Sequence, residues 1–210
     1  KERLFGLSNG EGNHGEDVKE LYYYLDATPT HSYLKMLYKY PQAAFPYERL
    51  VRENGERGVG QPELELMDTG VFDDNRYFDV FVEYAQADPE DILMRVTAIN
   101  RGPEPAPLHL LPQLWFRNTW SWSAGGAKPQ LMDVDEAEVL AEHAALGSYR
   151  LYLDGAPGLL FTGNDTNVPG LYGGAVQGYF KDAFHERVVD GNAAAVNPGR
   201  RGTKMAAWYQ

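Results

Sequence analysis

RYFDVFVEYAQADPEDILMRVTAIN, residues 76–100, decides the fold class. In its first ten residues Phe78, Val80, Val82 and Tyr84 fall on one side of an extended chain, while Asp79 and Glu83 fall on the other. That period of two belongs to a strand with one buried and one wet face. In residues 92–100, Ile92, Met94, Val96 and Ala98 alternate in the same way with Leu93, Arg95, Thr97 and Ile99. Between the two runs QADPED, residues 86–91, reads as a hairpin loop.

Outward from this hairpin the same pattern recurs. RGPEPAP (101–107) is a connection, and LHLLPQLWF (108–116) is a third strand in which Pro112 predicts a bulge or a sheet edge, because it lacks an amide proton. Further strands are expected at SYRLYLDG (148–155), GLLFTG (158–163) and AAWYQ (206–210). Upstream, residues 18–40 hold six of the 14 tyrosines around TPT (28–30). Aromatic enrichment about a proline turn favours two strands over one helix. Helices are expected at PYERLVRENGE (46–56), with Pro46 in its first turn, and at KDAFHERVVD (181–190). The 22 glycines and 13 prolines recur along the length, as many turns between short strands require. The expectation is a mostly β chain, a large antiparallel β-sandwich with a few short helices, in one domain over residues 1–210.

Composition narrows the partners. Nineteen basic against thirty acidic residues leave a net charge of −11. Such a field repels phosphate backbones and anionic lipid, so neither nucleic acid nor membrane is expected as a partner. No apolar run approaches the length needed to cross a bilayer. Cysteine is absent, which excludes disulfides and thiolate chemistry and points to a reducing, cytoplasmic setting.

Five stretches carry chemistry-bearing residues. GLSNG (6–10) has the letters of a nucleophile elbow, but that motif needs a strand before the serine and a helix after it. Only five residues precede it, so Ser8 reads as a loop residue. GNHGED (12–17) places His14, Glu16 and Asp17 on a glycine-hinged loop, a compact donor and acceptor set for sugar hydroxyls, or else a polar surface turn. Too few ligands stand at defined spacing for a metal, and no metal or cofactor is expected. DTGVFDDNRYFD (68–79) offers paired carboxylates of the kind glycoside hydrolysis uses, yet Asp73 and Asp74 sit beside Asn75 in turn composition and Asp79 lies on the polar face of a strand. These read as solvated, and GNDTN (163–167) reads as a turn without the ligand ladder of a calcium loop.

The fifth stretch is RNTWSW (117–122). If the strand continued, Trp120 and Trp122 would face one side. Beside Arg117 and Asn118 they would form either core or a stacking platform at a substrate rim or domain interface.

Residues 1–47, 68–85 and 108–122, together with KDAFHERVV (181–189) and VNPGRRGTKMAAWY (196–209), resemble bacterial proteins of glycoside hydrolase family 63, the family of processing α-glucosidase I, or mannosyl-oligosaccharide glucosidase. The likeness covers nearly the whole chain but follows residues 163–180 poorly. It implies a supersandwich of the galactose-mutarotase-like kind, normally set before an (α/α)6 barrel that holds both catalytic carboxylates. On that resemblance this chain is a fragment that supports the barrel and shapes the entrance for an oligosaccharide. No catalytic residue is carried over to it. His14, Glu16, Asp17, Arg117, Asn118, Trp120 and Trp122 become candidates for the rim or the interdomain contact. A free-standing carbohydrate-binding module is the alternative, and a mutarotase- or epimerase-like sugar enzyme ranks behind it. The latter would need one of His14, His31, His109, His143 or His185 to converge with a carboxylate.

Overall fold

A computed structural model describes residues 21–122, 127–135 and 137–210. The protein is mostly β, with antiparallel sheets and, among the described residues, three short α-helices. It divides into two compact units, residues 21–106 and 107–210 among those described.

The first unit is a meander. Strands β1 (Leu21–Ala27), β2 (Tyr33–Pro41), β3 (Tyr77–Asp88) and β4 (Asp91–Asn100) pair in chain order, each antiparallel to the next. The tyrosine-rich segment is two strands, as its composition predicts. They are joined by a turn in which His31 has φ +55° and the Thr28 hydroxyl accepts the Tyr33 amide at 3.1 Å. The β3–β4 hairpin is tighter than expected. Pairing runs out to Asp88 and Asp91, a bulge lies between Gln86 and Asp88, and the Asp88 carboxylate accepts the Glu90 amide at 2.8 Å. That side chain closes the turn and lets the strands extend into the acidic segment.

Between β2 and β3 the chain forms helix α1 (Tyr47–Glu56), with Pro46 as its N-cap rather than inside the first turn. Leu50 of α1 is buried with Phe45, Leu64 and Leu66 in a small core. Asn54 exchanges two hydrogen bonds with the Leu64 backbone, at 2.7 and 3.2 Å, standing in for a strand partner.

The second unit is a sandwich backed by a helix. Strands β5 (Gln113–Trp115), β6 (Gln130–Asp135), β7 (Glu138–His143), β8 (Gly147–Tyr152), β9 (Gly158–Thr162), β10 (Arg201–Gly202) and β11 (Lys204–Trp208) make two sheets, ordered β10-β6-β7-β8 and β5-β11-β9. Helices α2 (Val168–Tyr172) and α3 (Ala183–Val188) lie between β9 and β10. Leu131, Val139 and Ala141 from one sheet meet Leu159, Phe161, Met205 and Ala207 from the other. The alternate residues Leu160 and Ala206 pack instead against Ala183 and Phe184 of α3 and against Val196. β9 and β11 are therefore apolar on both faces, which is why LLF and MAA read as unbroken apolar runs.

The chain changes sheets between β10 and β11. Thr203 donates its amide to the Thr162 carbonyl at 3.0 Å, and a Cβ on Gly202 would lie 2.1 Å from that same oxygen. Only glycine permits this crossing. The strand predicted over 108–116 is regular only at Gln113–Trp115. Leu110 forms an isolated bridge to Tyr209, and Pro112, with no proton to give, still accepts the Ala207 amide through its carbonyl at 2.9 Å.

Candidate functional site

Where the sequence suggests a continued strand, the backbone after Phe116 turns. The Arg117 carbonyl accepts the Thr119 amide at 2.7 Å, and residues 120–122 form a single 3-10 turn. Trp120 and Trp122 consequently do not share a face. Trp120 is buried, at 9% exposure, and Trp122 stands out at 67%. The strand-based expectation of a paired indole platform is corrected by this turn, because at about three residues per turn positions two apart diverge.

Asp165, in the segment read as a simple turn, organises the cluster. Its Oδ1 accepts the Trp120 indole N–H at 3.2 Å and the Asn118 side-chain amide at 3.1 Å, and its Oδ2 pairs with Lys128 at 3.2 Å. The Lys128 ammonium also lies 5.7 Å from the Trp120 ring centroid. Asn164, next to it, donates its side-chain amide to the Phe116 carbonyl at 2.9 Å and its backbone amide to the Thr203 hydroxyl at 2.7 Å. The loop after β9 is thus bolted both to the end of β5 and to the corner before β11. Asn118 keeps one buried oxygen, Oδ1, without a hydrogen-bond partner among the described residues.

On this base the Arg117 guanidinium sits 5.0 Å from the Trp122 ring centroid, and both side chains are exposed. An indole face beside a cation and hydrogen-bond donors is suited to stacking on an apolar sugar face while donating to hydroxyls. Of the seven sequence candidates, Arg117, Asn118, Trp120 and Trp122 are gathered here, with Asn118 and Trp120 as fixed supports and Arg117 and Trp122 as the presented pair. His14, Glu16 and Asp17 lie outside the described residues. Asp165 and Lys128 went unrecognised in the sequence. The only signal was an Asp in a turn and a Lys after a glycine-rich stretch.

Lys204 of β11 is buried at 3% exposure and donates to the Lys181 carbonyl at 3.0 Å, with its ammonium 5.2 Å from the Phe184 ring centroid. Burial, helped by the charge of Lys181, lowers its pKa to about 8 against the pull of Asp182.

The carboxylates of 68–79 divide. Asp73 and Asp74 are exposed, the turn reading holding for both. Asp79 is not solvated: it is buried on β3 and accepts from Lys39 at 2.6 Å and Arg101 at 2.7 Å. Burial pushes its carboxyl up, but the bonds and charges of Lys39 and Arg101 outweigh it and hold the group below the usual carboxylate range. Glu83, four residues on, accepts from Tyr33 at 2.6 Å and Arg95 at 2.9 Å and is lowered by those bonds. Both carboxylates are occupied as structural partners of cations.

No family model matches the chain, and no solved structure matches it at a significant level. It is 42% identical over 246 residues to Uncharacterized protein YMR196W of Saccharomyces cerevisiae, an alignment covering 100% of this chain and 23% of that protein. The chain therefore spans less than a quarter of the length of this relative.

Proposed function

We propose that this chain is the non-catalytic β-sandwich region of a larger glucosidase resembling glycoside hydrolase family 63. Its role is to support an (α/α)6 catalytic barrel and to shape the entrance for an α-glucosidic oligosaccharide, which the whole protein hydrolyses with inversion. The observation that carries the reading is the Arg117–Trp122 pair, an exposed indole and guanidinium held on a base that Asp165 fixes. That arrangement serves recognition of a polyhydroxylated ligand, and its one central carboxylate is spent on Trp120, Asn118 and Lys128. The length of the yeast relative supports a larger parent.

The same pair favours a second reading, a carbohydrate-binding module acting alone. Calorimetry of the isolated chain against α-linked gluco-oligosaccharides separates the two. Saturable binding that Trp122→Ala removes supports the module. Silence from the isolated chain, with a raised KM on Trp122→Ala in the full-length protein, supports the entrance role. An unchanged KM there sinks it.

A further inference from the structure

The four-stranded meander has two faces of different chemistry. On one, Lys39 opposes Asp79 and Lys35 opposes Glu83, which in turn opposes Arg95. Apolar residues on this face lie under those cations, with the Lys35 ammonium 5.5 Å from the Phe81 centroid and that of Lys39 4.5 Å from Tyr77. Long charged side chains that cover rings in this way make a face that can meet water.

The open rows of the other face have no such cover among the described residues. Reading across the strands, Tyr24 opposes Met36, Met36 opposes Val82, and Val82 opposes Val96. The next row is Leu34, Tyr84 and Met94. Neither row contains a charge. Towards one end the face is closed, with Phe78 at 4% and Val80 buried beside it. Towards the other it opens, with Tyr24 at 83% and Tyr84, Met94 and Ile92 all exposed. An antiparallel sheet with one wet face ordinarily buries the other, and contiguous apolar surface of this kind marks a contact site.

We infer that the open half of this face is covered by another part of the same longer polypeptide, which presents an uncharged, aliphatic or aromatic surface to Tyr24, Tyr84 and Met94. Three facts select that occupant. The relative has more than three-quarters of its length beyond the region matched by this chain. The exposed rows continue a face already buried at Phe78 and Val80, so the occupant extends an existing core. The absence of any charge in those rows rejects a polar or transient partner, which would leave its own groups unpaired. The inference rests on the proposed function only in placing this chain within a longer protein, and it is independent of the sugar chemistry.

Hydroxyl-radical footprinting of the full-length polypeptide and of the isolated 210-residue chain tests it, with Tyr24, Tyr84 and Met94 as reporters and the exposed Tyr172 as reference. Labelling of the three reporters is expected to fall about tenfold in the full-length protein, as in the dry centre of an interface, while Tyr172 stays unchanged. Met94→Lys, at a site already open to water in the isolated chain, is expected to restore labelling at Tyr24 in the full-length protein. Equal labelling in both forms overturns the inference. So does protection of the isolated chain that disappears on dilution, which would assign the face to a second copy. Protection without α-glucosidase activity leaves this inference standing and removes the glucosidase reading, whereas activity without protection does the reverse.

Discussion

The Asp165 carboxylate accepts the Trp120 indole N–H at 3.2 Å across 45 residues of sequence, and this bond decides which tryptophan is structural and which is presented. Trp120, pinned, buries its ring. The backbone then completes one 3-10 turn and releases Trp122 to the surface beside Arg117.

Removing that anchor should loosen the second unit. Asp165→Ala leaves the Trp120 and Asn118 donors and the Lys128 ammonium without their shared acceptor. The expected cost is about 1–3 kcal/mol, read from urea unfolding followed by tryptophan fluorescence. All four tryptophans lie between residues 115 and 208, so this signal reports the second unit. An unchanged midpoint would show that the cluster does not depend on Asp165.

The two indoles should separate cleanly on truncation. Trp120→Ala should cost about 3–5 kcal/mol, as for a large aromatic removed from a packed site. Trp122→Ala should stay within about 0.5 kcal/mol of the parent, as at an open surface. Equal losses in the same unfolding assay would contradict the turn geometry.

Gly202→Ala tests the sheet crossing. The added methyl would collide with the Thr162 carbonyl, which belongs to the backbone and cannot swing aside. A loss of about 3 kcal/mol or failure to fold is expected. Gly155→Ala, with nothing within 4 Å of its Cβ, provides the contrast, costing only the strain of its φ of +77°.

Acid should act on the first unit through Asp79. Its folded pKa lies below the ordinary value, so its contribution is complete at neutral pH and is lost as pH falls below about 4. Asp79→Asn should cost about 2 kcal/mol at pH 7, less than a fully enclosed pair because Arg101 is partly open to water, and the difference should vanish in acid. Circular dichroism across a pH series checks this. Lys204 shifts in the opposite direction from Lys39, whose pKa is raised. Its folded pKa of about 8 lies below the usual 10.5, so the unfolded chain holds more protons between those values and stability should rise with pH across that window. Lys204→Met should flatten the rise.

Period-two patterning located β3 and β4 because one face of each is apolar, and the split of residues 18–40 into two strands followed from tyrosines flanking a proline. β6 and β7 were missed because QLMDVDEAEVLAEH (130–143) hides Leu131 and Val139 among acids. The site was half legible. Aromatic density drew attention to RNTWSW, but local periodicity cannot show a turn whose stabilising carboxylate lies 45 residues away. Asp79 shows the converse, a charge on the polar side of a strand that two distant cations bury.

Glucose release from α-linked gluco-oligosaccharides, measured for the isolated chain and for the full-length polypeptide side by side, bears most directly on the central claim. Turnover by the full-length protein and none by residues 1–210 is expected. Turnover by the isolated chain above a heat-inactivated control, or none by the full-length protein, would contradict it.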